Sequence, residues 1–136
     1  MGDCVGSSVV CGQCQSGVAF KFIALVGRCD GIIIASPEYA RSIPGGLKNA
    51  VDWLVSGDEL IGKPIALMHA SHRGDDMLSQ LRLVLSTVSE KFSAEAFTRF
   101  DLIGMSPERV AQHLTTDANR AQVGEFFETF VQYCKA

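Results

Sequence analysis

The chain has 136 residues, of which 47% are hydrophobic and 20% are charged, and its formal net charge at pH 7 is −3. A chain of this length fits one domain, which buries roughly two thirds of the surface that its unfolded form exposes. The composition is that of a folded globular protein and excludes a disordered one. Because the chain is weakly acidic, it offers no large cationic surface, and we expect no nucleic-acid partner.

The apolar runs of the sequence are short. The longest, around residues 18–26 and 32–35, fall below the ~20 residues that a membrane-spanning helix needs. The N-terminus lacks the order of a secretory signal, in which a basic segment precedes an apolar one and a small-residue cleavage site. We therefore expect a cytoplasmic protein with no membrane partner.

The N-terminal segment is rich in glycine, serine and cysteine. Ser7–Val10 are predicted to form a brief strand and Gly12–Gly17 a glycine-bearing loop. Val18–Val26 follow as an apolar helix. This strand, loop and helix order is the first local pattern in the chain.

Two apolar runs predict strands that are buried on both faces. Asp30–Ser36 and Lys63–Met68 show no alternation of polar and apolar residues, which is typical of a parallel sheet covered by helices. Each run ends at a polar loop. Between them, after a Pro44–Gly46 breaker, apolar residues recur at helical spacing. These residues are Leu47, Ala50, Val51 and Leu54. The pattern predicts a strand, helix, strand unit.

The C-terminal half continues the alternation. We expect a helix over Asp76–Lys91, a third strand at Phe97–Ile103 and a short helix over Ser106–Leu114, started by a serine cap before a proline. Asp117 is predicted to cap the last helix, which is amphipathic. Such a series predicts one α/β domain with a parallel sheet, in which ligands bind at the carboxyl ends of the strands.

The loop after the first of these strands, Ser36–Gly46, carries the most information. It has a proline near one end, two glycines at the other and a tyrosine between them. This arrangement suits a flat, partly polar ring held against backbone amides. The residues alone also allow a structural role, since loops that follow strands commonly contain proline and glycine, and Tyr39 could then cap the core.

The motif Ser36-Pro-Glu-Tyr39, followed by Ser42-Ile-Pro-Gly-Gly-Leu-Lys-Asn-Ala-Val-Asp-Trp53, resembles the signature of the NADPH-dependent FMN reductases. This family includes chromate, quinone and azo reductases. The resemblance covers Asp30 to about Cys134 and leaves residues 1–17 unmatched. It implies a single flavodoxin-like domain over residues 1–136, with a three-layer α/β/α fold, a parallel sheet, and N-terminal strands that are reduced or missing.

The resemblance implies that FMN is bound noncovalently, with the first loop along the edge of the ring. The ring contacts are then Pro37, Glu38, Tyr39 and Ala40. Many members of the family have Asn-Gly where this chain has Ala40-Arg41. A contact made through the backbone would be little affected by this difference.

The loop after the second strand lies where relatives place a further flavin-facing turn. The resemblance therefore implies that Ser71, Arg73 and Gly74 also bind the cofactor. Arg73 would hold the carbonyl edge of the ring or a phosphate of the nicotinamide cofactor, and would stabilise negative charge on reduced flavin. The alternative is a surface arginine that caps the loop.

The implied activity is an NAD(P)H-dependent oxidoreductase. NADPH or NADH would give a hydride to FMN, and a quinone, chromate, azo compound or free flavin would accept the electrons. Because the cofactor does the chemistry, we assign no catalytic acid or base. His69, His72 and His113 are not spaced as metal ligands. The helix that contains Trp53 often lies in a dimer interface in this family, which implies a homodimer or homotetramer, although Trp53 could equally be buried within the monomer.

The chain departs from the family at its N-terminus. Relatives have a Gly-Ser-x-Arg-like loop that grips the FMN phosphate, and residues 1–29 contain no such loop. One hypothesis is a truncated or misread family member with weak or no FMN binding and no catalysis. Another is a short substitute, in which Gln15, Ser16 and Gly17 hold the phosphate at a helix N-terminus.

A third hypothesis is a thiol redox protein centred on Cys11 and Cys14, which form a Cys-x-x-Cys pair. Such pairs exchange disulfides or ligate zinc. No second pair completes a zinc site in the sequence. We expect Cys4, Cys29 and Cys134 to be ordinary reduced thiols.

Overall fold

The computed structural model describes residues 17–136. The elements follow in the order α1 (Gly17–Arg28), β1 (Ile32–Ala35), α2 (Gly45–Val55), β2 (Ile65–His69), α3 (Asp75–Val88), β3 (Phe92–Arg99), α4 (Pro107–Leu114) and α5 (Asp117–Lys135). The predicted strand Ser7–Val10, the pair Cys11 and Cys14, and the predicted phosphate ligands Gln15 and Ser16 lie outside the described residues. Within residues 17–136, no helix combines the length and the apolar composition that crossing a membrane requires.

The described strands form one parallel sheet in the order β1-β2-β3. Ile32 of β1 pairs with Ile65 of β2, and Leu67 of β2 pairs with Phe97 of β3. Helix α2 connects the first pair of strands and α3 the second. Parallel neighbours joined by a helix are the repeating unit of α/β folds, so the predicted fold class is confirmed.

The sheet is covered on both faces. Successive side chains of a strand point to opposite faces, and the two faces form separate hydrophobic clusters. Ile32, Ile34, Ile65 and Leu67 belong to the cluster that includes residues of α1, α2 and α3. On the other face, Ala66 and Ala96 pack with Phe126 and Phe130 of α5. The described residues therefore form three layers, and within them α5 supplies the buried phenylalanines of its layer.

Strand β1 is less buried than its sequence predicts. The prediction of burial on both faces holds for β2, where Ile65, Ala66 and Leu67 are at most 1% exposed. In β1, Ile32–Ile34 are only half-buried. Among the described strands β1 lies at an edge of the sheet, so its side chains have strand neighbours on one side only. The prediction is wrong for β1 in this part of the chain.

Several element boundaries differ from the predictions, and α3, for example, ends at Val88 instead of Lys91. Helix α2 begins at Gly45, inside the predicted Pro44–Gly46 breaker, and Pro44 is at its N-cap position. A proline is tolerated there because the N–H groups at the start of a helix have no partner within the helix, so its missing N–H costs no hydrogen bond. Thr116, not Asp117, is at the N-cap position of α5, and its side chain makes no capping hydrogen bond. Ser106 caps α4 as predicted, since its hydroxyl accepts from Arg109 N–H at 3.4 Å.

The largest difference is that of β3, which begins at Phe92 and ends at Arg99. Its pairing with β2 is irregular, since Ile65 pairs with Phe92 while Leu67 pairs with Phe97. The residues inserted between these partners break the apolar pattern, so the sequence revealed only the second half of the strand. The predicted strand also extended too far, because Phe100–Ile103 come after the end of β3 at Arg99.

Candidate functional site

A cavity of about 600 Å³ opens at the carboxyl ends of the strands. The loops after β1, β2 and β3 all contribute to it. Its lining consists of Ala35, Ser36, Pro37, Glu38, His69, Ala70, Ser71, Arg73, Gly74 and Ile103. The volume is typical of small-molecule sites, and the carboxyl edge is where parallel sheets bind ligands.

Most of the residues that the sequence suggested are brought together in this cavity. Pro37 and Glu38 line it from the first loop, and Ser71, Arg73 and Gly74 line it from the second. The two loops are far apart in the sequence, and the adjacent parallel pairing of β1 and β2 places them side by side.

Tyr39 and Ala40 are not among the lining residues. They lie in a tight turn beside the cavity, in which Tyr39 and Ser42 exchange two backbone hydrogen bonds of 3.2 and 2.9 Å. The central residues Ala40 and Arg41 have φ angles of 49° and 59°. Two positive φ angles are the signature of a type I′ turn, for which Asn-Gly is the preferred sequence. This backbone conformation explains why many family members have Asn-Gly at these two positions. Ala40 and Arg41 adopt the same turn, but with backbone strain.

Helix α3 holds this turn in place. Arg41 Nε donates to Asp76 Oδ2 at 2.6 Å. Gln80 accepts from the Ser42 hydroxyl at 2.7 Å and donates to the Arg41 carbonyl at 2.9 Å. The hydrogen bond to Asp76, and then its charge, raise the pKa of Arg41. Because the Arg41–Asp76 ion pair is exposed, we expect it to add little stability by itself.

Glu38 connects the first loop to the start of α3. Its Oε2 accepts the backbone N–H of Met77 at 3.1 Å. The N-cap position of α3 is Gly74, which has no side chain to satisfy the first helical N–H groups. A carboxylate at a helix N-terminus is favoured both by these free donors and by the helix dipole. Glu38 therefore performs the capping function from another loop.

The backbone of the second loop is held by His69 and Arg99. The carbonyl of Arg73 accepts from His69 Nε2 at 2.6 Å and from Arg99 Nη2 at 2.8 Å. Arg99 Nε donates to the Ser71 carbonyl at 2.5 Å, and its Nη1 to Asp75 Oδ1 at 2.8 Å. The sequence pattern predicts no role for His69 and places Arg99 inside the third strand. The sequence feature that could have identified them is their position, since His69 is the last residue of β2 and Arg99 is the last residue of β3.

Gly74 is required by the geometry of this loop. Its φ is 99°, a conformation that side chains rarely adopt, and a Cβ at this position would lie 2.7 Å from His69 Nε2. Any larger residue would push the imidazole away from the Arg73 carbonyl.

Two polar groups of residues that line the cavity have no hydrogen-bond partner among residues 17–136. Within the described residues, Arg73 makes hydrogen bonds only through its backbone N–H and carbonyl, so its exposed guanidinium is unengaged there. His69 is 2% exposed, and its Nδ1 has no hydrogen-bond partner among residues 17–136. Buried polar atoms are rarely left unsatisfied in a protein.

The third loop contributes an apolar wall and a hydrogen bond. Ile103 lines the cavity and is 50% exposed. Asp101 Oδ1 lies 2.8 Å from Nδ1 of His72, and this hydrogen bond lowers the pKa of Asp101. The contact joins the loop after β3 to the loop after β2. Over the described range, no group of three His, Cys, Asp or Glu side chains could hold a metal ion.

Comparison with known proteins points to one family. A family model described as NADPH-dependent FMN reductase matches residues 7–97. The matched range begins before Asp30, where the motif resemblance starts, and so includes part of the N-terminal segment. It also contains the whole of the first two loops of the cavity.

Two curated relatives are similar over shorter stretches. The quinone reductase of Escherichia coli (strain K12) is 46% identical over 48 residues, which are 34% of this chain and 26% of the relative. The NADPH azoreductase of Bacillus sp. (strain OY1-2) is 38% identical over 61 residues, which are 45% of this chain and 34% of the relative. The matched chain thus spans about a quarter to a third of the length of these proteins.

Among solved structures, this chain is similar to FerB, a flavoenzyme NAD(P)H:(acceptor) oxidoreductase from Paracoccus denitrificans. The TM-score is 0.61, and the match covers 90% of this chain and 70% of FerB at 19% sequence identity. A likeness at this identity concerns the fold, and it supports the flavodoxin-like architecture expected from the sequence.

Proposed function

The chain belongs to the NADPH-dependent FMN reductase family, and from this membership we propose that it binds FMN in the cavity at the carboxyl ends of β1, β2 and β3. In the proposed reaction NADPH or NADH reduces the bound FMN, which then reduces a small-molecule acceptor. The observation that carries the proposal is the convergence of two loops, each with family-like residues, on one cavity of about 600 Å³.

The residues present fit a flat ring with one apolar and one polar side. Pro37 and Ile103 supply apolar surface, while Ser71, Arg73 and Gly74 form a polar wall. The unengaged guanidinium of Arg73 can donate to carbonyl oxygens at the edge of the ring and can stabilise negative charge on it. Glu38 contributes mainly by fixing the first loop to α3, as its hydrogen bond to Met77 indicates.

When bound, FMN supplies the capacity to accept a hydride and pass electrons on. The chain's own residues bind and orient the ring and exclude water from it. No side chain of the cavity is assigned as a proton donor or acceptor. Tyr39 is 64% exposed in the turn beside the cavity. In the proposed complex it covers the ligand at the mouth of the cavity and does not form part of the cavity's inner wall.

For the electron acceptor we propose a quinone or an azo compound, with chromate and free flavin as further candidates. Two similar proteins are named quinone reductase and NADPH azoreductase. Both acceptor classes are planar and partly apolar, which suits the wall formed by Pro37 and Ile103.

The FMN phosphate is proposed to bind at the N-terminus of α1. Gly17 is the first residue of this helix, and helix N-termini offer backbone N–H groups to phosphates. Gln15 and Ser16 precede it and lie outside the described residues. The double variant Ser16→Pro, Gly17→Pro should lower FMN affinity, and an unchanged affinity would remove this part of the proposal.

We also propose a homodimer or homotetramer, with α2 in the interface. Val55 of α2 is 54% exposed, and Trp53 on the same helix is half-buried. Aromatic residues are enriched at protein interfaces. Light scattering on the purified protein measures the oligomeric state directly, and a monomer would contradict this point without affecting the proposed cofactor site.

The activity is tested by NADPH and NADH oxidation in the presence of a quinone, with FMN supplied. We expect turnover in the wild type and a clear loss in Arg73→Met, with Arg120→Met as control, since Arg120 is an exposed arginine of α5. FMN binding without turnover would favour a non-catalytic family member. Disulfide exchange without flavin would favour the Cys11 and Cys14 hypothesis instead.

A further inference from the structure

The side chains of Arg99 and His69 hold two carbonyl groups of the second loop in fixed directions. The Ser71 carbonyl accepts from Arg99 at 2.5 Å, and the Arg73 carbonyl accepts from Arg99 at 2.8 Å and from His69 at 2.6 Å. A carbonyl oxygen only accepts hydrogen bonds, so the His69 proton is on Nε2. A three-way attachment of this kind leaves the loop little freedom to rotate its peptide groups.

The fixed carbonyls determine where the neighbouring N–H groups point. In a trans peptide the N–H is directed opposite to the C=O, and the described chain has no cis peptide bonds. The N–H groups of His72 and Gly74 therefore point away from the Arg99 guanidinium. Arg99 does not line the cavity, whereas His69, Ser71, Arg73 and Gly74 do.

These two N–H groups are unpaired in the described part of the chain. The Arg73 N–H, between them, is already occupied by the Ser71 hydroxyl at 2.9 Å. For His72 and Gly74 no acceptor is found among residues 17–136. Gly74 is buried, and a buried N–H without a partner is uncommon in folded proteins. A ligand with electron-rich atoms would satisfy both donors.

We propose that Arg99 and His69 are positioning residues that aim the His72 and Gly74 N–H groups at the electron-rich edge of a planar ligand in the cavity. The identity of this ligand as FMN rests on the proposed function. The orientation of the loop itself does not, since it follows from contacts within the chain. Neither side chain needs to touch the ligand's reacting atoms for this role.

Arg99 is suited to this task by its geometry. Its planar guanidinium offers donors in fixed directions, which lysine cannot do with a single ammonium. Three of its nitrogens bind three different groups of the loop and of α3, namely the Ser71 carbonyl, the Arg73 carbonyl and Asp75. Its own backbone is held by Gln122 of α5, whose side chain donates to the Arg99 carbonyl at 3.1 Å.

The first test is hydrogen exchange of the loop amides in the flavin-free protein. Arg99→Met should speed exchange at the Arg73 amide, which donates to the Ser71 hydroxyl, and at the buried Gly74 amide by about tenfold or more, because the loop then opens more often. Arg120→Met is the matched control and should leave these amides unchanged. Unchanged exchange in Arg99→Met would overturn the proposal. If Arg99→Met does not fold, Arg99→Lys replaces it, with the same expectation.

The second test uses bound FMN as a probe. Arg99→Met should raise the FMN Kd by about tenfold or more and shift the visible absorption band of bound flavin, because the His72 and Gly74 N–H groups are then no longer aimed at the ring edge. His69→Gln, which keeps an N–H donor, should retain more affinity than His69→Leu. Equal losses in both His69 variants, or a Kd and spectrum unchanged in Arg99→Met, would contradict the positioning role. A wild type that binds no FMN would refute the proposed function, and the exchange test would still decide this inference.

Discussion

At the scale of single residues, the Ala40-Arg41 turn shows how a backbone requirement is met by unfavourable residues. Both have positive φ angles, 49° and 59°, which cost a residue other than glycine roughly 1–2 kcal/mol. Ala40→Gly should therefore raise the free energy of unfolding by about 0.5–1 kcal/mol, after the greater unfolded-state entropy of glycine is subtracted. Urea denaturation of the two proteins measures the difference.

The control for this prediction is Ala121→Gly, within α5. Ala121 is exposed and helical, so glycine there should lower stability by about 1 kcal/mol. The same substitution thus has opposite signs at the two positions. A loss of stability at both would show that the turn is not strained as its φ angles indicate.

Glu38 provides a prediction that separates a structural role from a purely ligand-binding one. Its carboxylate accepts the Met77 N–H at 3.1 Å, so Glu38→Ala should destabilise even the flavin-free protein by about 1–2 kcal/mol, as loss of a helix cap does. Thermal or urea unfolding without FMN measures this. Glu128→Ala, at an exposed position of α5, is the control. If flavin-free Glu38→Ala is as stable as the flavin-free wild type, the capping role is wrong, and Glu38 can act only as a contact to the ligand.

The pair of His72 and Asp101 gives a prediction about pH. The hydrogen bond from His72 lowers the pKa of Asp101 from its ordinary value of 3.8. A carboxyl group with a lowered pKa in the folded state stabilises the fold above its unfolded pKa, and this contribution is lost as pH falls through the folded pKa. NMR titration of the Asp101 carboxyl should show a midpoint below 3.8 in the wild type. In His72→Ala the midpoint should move upward, and an identical midpoint would exclude the hydrogen bond.

At the scale of elements, the docking of α5 onto the sheet depends on a glycine before β1. A Cβ on Gly31 would lie 2.6 Å from Cys134 Sγ and 2.7 Å from Phe130 Cζ. Gly31→Ala should therefore displace the end of α5 and cost about 1–3 kcal/mol, the usual penalty of overpacking. Gly62→Ala is the control, because nothing lies within 4 Å of its added Cβ. Equal stabilities of the two variants by urea denaturation would contradict this packing.

Elements whose apolar pattern was uninterrupted were predicted well from the sequence. The strand β2, the helix α3 and the cap of α4 all appear close to their expected places. Strand β3 was found only in part, because the irregular pairing between Phe92 and Phe97 has no periodic signature. This error also placed Ile103 in a strand, whereas it lines the cavity.

The candidate site was predicted to the extent that it is local in sequence. The two loops were recognised because each follows an apolar strand, and five of the seven site residues predicted from them line the cavity. His69 and Arg99 were missed because their role depends on contacts formed only when β2 and β3 pair. The distance in sequence from Arg99 to Ser71 leaves no spacing pattern to detect. Type I′ geometry, in contrast, was visible in principle from the Asn-Gly of the family.

At the scale of the whole molecule, the three parallel strands of the described residues, with helices on both faces, bring three loops to one cavity. Membership of the NADPH-dependent FMN reductase family and this cavity together lead to the proposal of a flavin-dependent oxidoreductase. We propose that the described residues form the ring-binding side of the site. We further propose that the N-terminus of α1 and the residues before it bind the phosphate.

The measurement that tests this account most directly is a titration of the purified full chain with FMN, followed by visible absorbance and flavin fluorescence. We predict saturable binding of one FMN per chain, with a perturbed flavin spectrum and weaker binding in Arg73→Met than in Arg120→Met. A colourless protein that leaves the spectrum of added FMN unchanged would contradict the proposed function, and the chain would then share the family's fold without its cofactor.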